Sequence, residues 1–238
     1  LIAAQAKHLT VFQRTANYSV PAHNAPLTPA FQSYVKEKFD DIRRTMHGTT
    51  NGHAFVIEDR SVFDVSAEQR QALYEAAWQK GGLQFRATFR DLLADKCAND
   101  TAAEFIKSKI RSIVKDKATA EKLADIDHPY AAKRPPIDSF YFEAFNRDNV
   151  ALVDVRADPI EAINAAGIVT RSGKEYPLDI IVFATGFDAM TGPLLRIDIR
   201  GRDGLALKDV WAAGPRNYLG LQVSGFPNLF TITGPGSP

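Results

Sequence analysis

The sequence predicts an α/β fold, with a strand-rich unit split by a long helical insertion. Three features carry that prediction. A short run of β-branched and aromatic residues, "HLTVF", stands close to the start. From residue 28 to about 123 the pattern is mostly helical. After Asn149 the character changes to strands, beginning with "NVALVDV".

The elements follow in order. Residues 1–6 resemble the back half of a helix with no cap before it, and no Met precedes them. The strand at 8–14 ends on Gln13, Arg14 and Thr15, and a connection bearing Asn17 and Pro21 follows. In "SAEQRQALYEAAWQKGG", Ser66 is an N-cap with Gln69 at the third position, and Leu73, Ala76 and Ala77 follow helical spacing. Gly81 and Gly82 stop that helix. In "NDTAAEFIKSKIRSIVKD", Asn99 or Asp100 is expected to cap, and Ala103, Phe105, Ile106, Ile110, Ile113 and Val114 form one apolar stripe. Pro129, Pro135 and Pro136 close the helical region.

Residues 159–187 supply three further strands, two of them joined through Ser172 and Gly173. The continuous apolar run at 180–184 reads as a strand buried on both faces. Residues 229–232 form another strand, running into a Gly/Pro turn. Both ends of the sequence thus look cut inside structured elements, and the chain is expected to be an internal fragment of a longer protein.

Composition narrows the function classes. The apolar and charged fractions, 45% and 24%, are those of a globular chain. A formal net charge of +1 gives no overall basic field for nucleic acid, although a local basic site stays open. Cys97 is the single cysteine, so no internal disulfide forms, and a cytoplasmic setting is the simplest expectation. No apolar run approaches the about eighteen residues that suggest a membrane span. His8, His23, His47, His53 and His128 lack metal-ligand spacing, and no GxSxG elbow is present. Cys97 reads as a bland thiol in the turn before a helix.

Three short segments carry candidate chemistry. In a dinucleotide-binding βαβ unit, the end of the second strand lies beside the adenosine ribose. An acid there selects NAD, and a nearby arginine accommodates the 2′-phosphate of NADP. This strand ends on Arg14 and Thr15 with no acid, which fits NADP; a solvated strand-end charge is the alternative. Lys133 and Arg134 stand before a proline pair, which holds the backbone extended at a crossing between domains; an ordinary basic linker is the alternative. In "VFATGF" the apolar run ends at Gly186, where backbone can approach a ligand or another segment.

Together, "HLTVFQRTANYSVPAHNAP", "AKRPPIDSFYFEAFNRDNV", "VFATGFDAMTG", "IDIRGRDGLALKDVWAAGPRNYLGL" and "GFPNLFTITGPGSP" resemble the central part of Baeyer–Villiger monooxygenases of the cyclohexanone and phenylacetone type. The resemblance covers essentially the whole chain. It implies part of a flavoprotein with two dinucleotide-binding domains, using FAD and NADPH. Such enzymes convert ketones to esters or lactones with O2 through a C4a-peroxyflavin. Residues 1–20 would be the first part of the NADP domain, 21–128 its helical insertion, 129–186 its return and 187–238 the return to the FAD domain. By the same resemblance Arg14, Thr15 and Lys133 would bind the 2′-phosphate. Arg134 would be the catalytic arginine that stabilises negative charge, because a guanidinium stays protonated at any working pH. Gly186, Gly234, Gly236 and Ser237 would lie near cofactor.

The glycine-rich cofactor loops of the family and its signature segment are absent from the sequence. The rest of the parent chain would be needed to complete both cofactor sites, and the chain alone is expected to be inactive. No nucleic acid or membrane partner is expected. A related flavoprotein that oxidises nitrogen or sulfur, and a non-catalytic nucleotide-binding module, remain open; Lys133 and Arg134 ahead of Pro135 favour the Baeyer–Villiger type.

Overall fold

The computed structural model describes residues 1–50, 52–186 and 188–237. It divides into two compact units, Leu1–Leu178 and Asp179–Pro238. The division falls ahead of the expected return at 187, and Phe187 lies outside the described residues.

In the larger unit, the helical turn α1 (Ile2–Gln5) leads into β1 (Leu9–Gln13), and β2 (Val20–Pro21) follows. The insertion then runs through α2 (Pro29–Glu37), α3 (Phe39–Gly48), α4 (Ala67–Lys80), a 3₁₀ turn at Gly82–Ala87, α5 (Lys96–Ile113) and α6 (Lys117–Ala124). The chain returns through β3 (Ile137–Asp138), α7 (Tyr141–Ala144) and β4 (Val150–Asp154). Strands β5 (Ile160–Asn164), β6 (Gly167–Thr170) and β7 (Glu175–Pro177) complete the unit.

Strands β1 and β4 pair in parallel, with Leu9 opposite Val150 and Gln13 opposite Asp154. Parallel neighbours need a crossover connection, and here the whole helical insertion serves as one. The Asn149 amide donates to the carbonyls of Ala3 at 3.0 Å and Ala6 at 2.9 Å, which fixes the entry to β1 against the entry to β4. Strands β5, β6 and β7 form an antiparallel meander. Ser172 and Gly173 turn between β6 and β7, with Gly173 at φ 82°.

The helices start where their side chains allow. Ser66 and Gln69 make the reciprocal capping box of α4, and Gly81 ends it at φ 72°. For α5 the expected caps were Asn99 or Asp100, but the helix begins earlier. The Asp95 carboxylate accepts from Ala98 N at 2.8 Å, so Asp95 is the cap and Cys97 already lies in the first turn. Asn99 is instead buried inside the helix. Its amide donates to the carbonyls of Leu92 at 2.8 Å and Tyr130 at 2.9 Å, and its oxygen accepts from Tyr130 N at 2.8 Å. An asparagine can therefore sit within a buried helix face because three backbone groups need it.

The anticipated stripe of α5 faces the core, with Ala103, Phe105, Ile106, Ile110 and Val114 buried and Ile113 partly so. On α4 the deepest residues are Tyr74 and Trp78; Leu73 and Ala77 are half-buried and Ala76 is exposed. The larger rings reach further than the aliphatic positions that carried the spacing. Tyr74 packs on Phe85, Phe89 and Phe105 with centroids 5.3–5.4 Å apart.

The smaller unit holds α8 (Gly192–Leu195) and α9 (Leu207–Val210) over a core of Leu207, Trp211, Val223 and Phe226. Two expected strands do not form in it. Residues 180–184 form no strand, with Ala184 N turning back to Val182 O at 3.1 Å, and Ile180 and Val182 are 80% and 70% exposed. At 229–232 a single bridge joins Phe230 to Gln222, and Ile232 is 91% exposed. An apolar run becomes a buried strand only where neighbouring backbone accepts a full ladder; among the described residues 180–184 has no strand partner, and 229–232 has only the contact with Leu221 and Gln222.

Replacing Asn99 with Ala leaves three buried backbone groups unpaired, so urea unfolding of the chain should show a loss of about 3 kcal/mol or more. Asp95→Ala removes only a cap and should cost about 1 kcal/mol.

Candidate functional site

The site begins where β1 ends. Val155 N donates to Gln13 O at 2.9 Å, which holds the strand end to β4. Arg14 is exposed and Thr15 half-buried on the turn that follows. The chain then passes inward: Ala16, Tyr18, Ser19 and Val20 are all buried. Tyr18, Val20 and Tyr130 join the same apolar core as α4 and α5.

The returning segment lies alongside. Strand β2 pairs in parallel with β3, Val20 opposite Ile137. Pro136 O accepts from Val20 N at 3.1 Å and from the Ser19 hydroxyl at 3.2 Å. The Tyr18 hydroxyl donates to His128 O at 2.9 Å, and the Tyr18 ring meets the His128 ring edge-on at 5.5 Å. The Asn17 amide nitrogen donates to Arg134 O at 3.4 Å, and Asn17 Oδ1 lies 3.1 Å from His128 Nε2. Two segments separated by the whole insertion are thus laced together, one carrying Arg14 and Thr15 and the other Lys133 and Arg134.

Charge around this crossing is unevenly satisfied. The Arg156 guanidinium meets Asp125 at 2.7 Å and Asp127 at 3.4 Å. The Asp127 carboxyl is held below the usual carboxylate range, first by its hydrogen bond with His128, with Lys133 and Arg156 adding to the effect. Arg14, Lys133 and Arg134 are exposed, and none of them has a carboxylate at ion-pair distance among the described residues. Exposed cations without a protein counter-ion suit an anionic ligand. No cluster of three or more His, Cys, Asp or Glu residues able to hold a metal occurs among the described residues.

Gly186 and Ser237 belong to the smaller unit. Gly186 has φ +91°, and among the described residues nothing beyond its chain neighbours lies within 4 Å of where its Cβ would stand, so its backbone is open to a close approach. Ser237 closes a turn, with its N–H donating to Gly234 O at 3.0 Å. That turn is tightly built: a Cβ on Gly234 would lie 2.4 Å from Gly220 O. The Asn217 amide donates to Pro235 O, and its oxygen accepts from Gly220 N at 2.7 Å. Gly236 has φ +72°, and a Cβ there would lie 4.0 Å from Asn217 Oδ1.

The residues that hold the crossing, Asn17 and His128, look in the sequence like a turn former and a stray histidine. Only the pairing of 17–22 with 128–138 gives them a role, and spacing within one sequence carries no sign of that pairing.

No protein-family model matches the chain. It is 45% identical over 236 residues to a Baeyer–Villiger monooxygenase of Pseudooceanicola batsensis, covering 98% of this chain and 43% of that protein. A solved structure of oxidised steroid monooxygenase bound to NADP matches with a TM-score of 0.90 and 51% identity, covering 100% of this chain and 45% of that one. Over essentially its whole length the chain is similar to Baeyer–Villiger monooxygenases. A structure of OTEMO in complex with FAD and NADP matches with a TM-score of 0.93 and 44% identity, covering 99% of this chain and 44% of that one. Phenazine N-monooxygenase PhzNO1 of Lysobacter antibioticus is 41% identical, covering 98% of this chain and 43% of that protein. The chain therefore spans less than half the length of these proteins it matches. Its α/β architecture is that of a flavoprotein with two dinucleotide-binding domains. No helix among the described residues is long and apolar enough to cross a membrane.

Burial raises the ionisation of Tyr18 and Tyr130 above the ordinary tyrosine value of 10.0 and pushes that of Tyr74 up to about 12. A phenol that loses its proton less readily when folded stabilises the fold below its ordinary pKa, and that contribution is lost as pH rises toward the folded value. Unfolding free energy should therefore decline above about pH 10, and absorbance near 295 nm should show these tyrosines ionising only as the core opens.

Proposed function

We propose that this chain is the part of a longer FAD- and NADPH-dependent Baeyer–Villiger monooxygenase that reads the 2′-phosphate of NADPH and brings a fixed cation to the reacting centre. The parent enzyme converts ketones to esters or lactones with O2. The observation that carries the proposal is the Asn17 bond to Arg134 O. It ties the segment that carries the exposed Arg14 and half-buried Thr15 to the one that carries the exposed Lys133 and Arg134, and none of these cations has a carboxylate partner among the described residues. A phosphate dianion fits such a place, and the absence of an acid at the strand end favours NADPH over NADH.

Residues 1–20 and 129–186 form the NADP domain, 21–128 its insertion and 187–238 part of the FAD domain. Arg14 offers a forked pair of donors to the phosphate, Thr15 a hydroxyl and Lys133 a compact charge. Arg134 holds a permanent positive charge where negative charge develops during oxygen transfer. Gly186 lets cofactor approach the backbone, and Ser237 offers a hydroxyl to the flavin side. When bound, FAD supplies the activation of O2 and NADPH supplies the electrons. The remainder of the parent chain completes both cofactor sites. A single cysteine fits a reducing cytoplasm. The similarity to a phenazine N-monooxygenase favours nitrogen oxidation as the second reading of the same architecture.

In the longer enzyme, Arg14→Ala should raise KM for NADPH about tenfold or more and leave KM for NADH nearly unchanged, because it removes charge-assisted bonds to the phosphate alone. Arg134→Ala should abolish lactone or ester formation from cyclic and aromatic ketones while NADPH still reduces the flavin. Undiminished oxygenation in that variant would remove Arg134 from the chemistry. Product from an aromatic N-heterocycle but from no ketone would favour the second reading.

A further inference from the structure

We infer that Asn17 is a positioning residue that sets the spacing between the phosphate-reading strand end and the Lys133 and Arg134 pair, with His128 holding its amide in place. The inference rests on the proposed reading of the site as an NADPH 2′-phosphate site.

The argument starts from what ties the two segments together. Gln13 is fixed to β4 through Val155 N, and Val20 is fixed to Pro136. Between those anchors, among the described residues, no backbone hydrogen bond joins residues 14–17 to 131–134. The Asn17 side chain is the hydrogen bond that joins these two stretches directly, at 3.4 Å. It attaches at Arg134 itself, three residues along from Arg14.

The orientation of the amide follows from its partners. A backbone carbonyl only accepts, so the atom facing Arg134 O is the nitrogen. The amide oxygen then faces His128, and His128 Nε2 must donate across the 3.1 Å gap. His128 cannot readily turn away. Its side chain is 10% exposed, its Nδ1 lies 3.2 Å from Asp127 Oδ1, and its ring packs against Tyr18. A long hydrogen bond held by a locked neighbour transmits position more than it contributes stability. Under the proposed reading of the site, Arg14 and Lys133 must meet one phosphate together, so small errors in the separation of their segments weaken phosphate binding specifically.

The test uses the longer enzyme and compares kcat/KM for NADPH with that for NADH. Asn17→Ala should lower the preference for NADPH about tenfold, mainly through KM for NADPH, with the NADH values within about twofold of wild type. Asn17→Asp keeps the size and the acceptor toward His128 but turns a second oxygen on Arg134 O; it should lose the preference as well and decides the matter if the Ala variant does not fold. His128→Gln keeps a donor nitrogen at similar reach and should largely retain the preference that His128→Leu loses. An unchanged preference in the Asn17 variants overturns the inference. So does an equal fall with both nucleotides, which is the signature of a merely structural residue. Equal loss in both His128 variants removes His128 from the relay. A wild-type enzyme with no preference for NADPH instead overturns the phosphate reading, and that outcome is seen before any variant is made.

Discussion

The geometry of the site depends on one packing event, the burial of Tyr18 against His128 and Tyr130 in the core shared with the helical insertion. Tyr18 is 1% exposed, its hydroxyl is bonded to His128 O, and its ring stands edge-on to Tyr130 and His128. It sits four residues beyond Arg14. Burial of this residue draws the outgoing connection against the returning one, and the β2–β3 ladder and the Ser19 bonds then fix their register. The insertion is therefore more than a spacer within the strand-rich unit. Its core is the surface on which the two basic segments are assembled.

That arrangement separates stability from recognition. Apolar burial and backbone pairing hold the crossing together, so the exposed basic side chains carry no structural duty. Arg156, close by in the fold, shows the contrary case, with its guanidinium engaged by two carboxylates. A phosphate competing for Arg156 would have to displace both. Arg14, Lys133 and Arg134 have no such carboxylate partners among the described residues, which under the proposed reading leaves their charge to a dissociable nucleotide.

Legibility in the sequence followed the range of the forces involved. The capping box at Ser66 and Gln69, the stop at Gly81 and the α5 stripe are local, and all were evident from spacing. The true cap of α5 was not, because the three bonds that draw Asn99 into the core come from Leu92 and Tyr130. The runs at 180–184 and 229–232 have strand composition, yet composition cannot supply a pairing partner. Arg14 and Lys133 were visible as candidates through their chemistry and the family resemblance. The Asn17 bond that ties their segments was not visible, since it joins positions more than a hundred residues apart.

The parallel pairing of Leu9 with Val150 has a consequence for how the chain reaches its fold. Bringing together residues 141 positions apart along the chain is entropically expensive when the intervening chain is disordered. Once the helices of the insertion have packed, however, its two ends leave it side by side. The strands are then separated only by the short spans from Gln13 to Val20 and from Ile137 to Val150. Loop closure scales with the logarithm of length, so this shortening lowers the cost of forming the sheet by ~2 kcal/mol. The module that separates the strands in sequence is thus also the device that makes their meeting probable, and the parallel pair inherits a local route to a non-local contact.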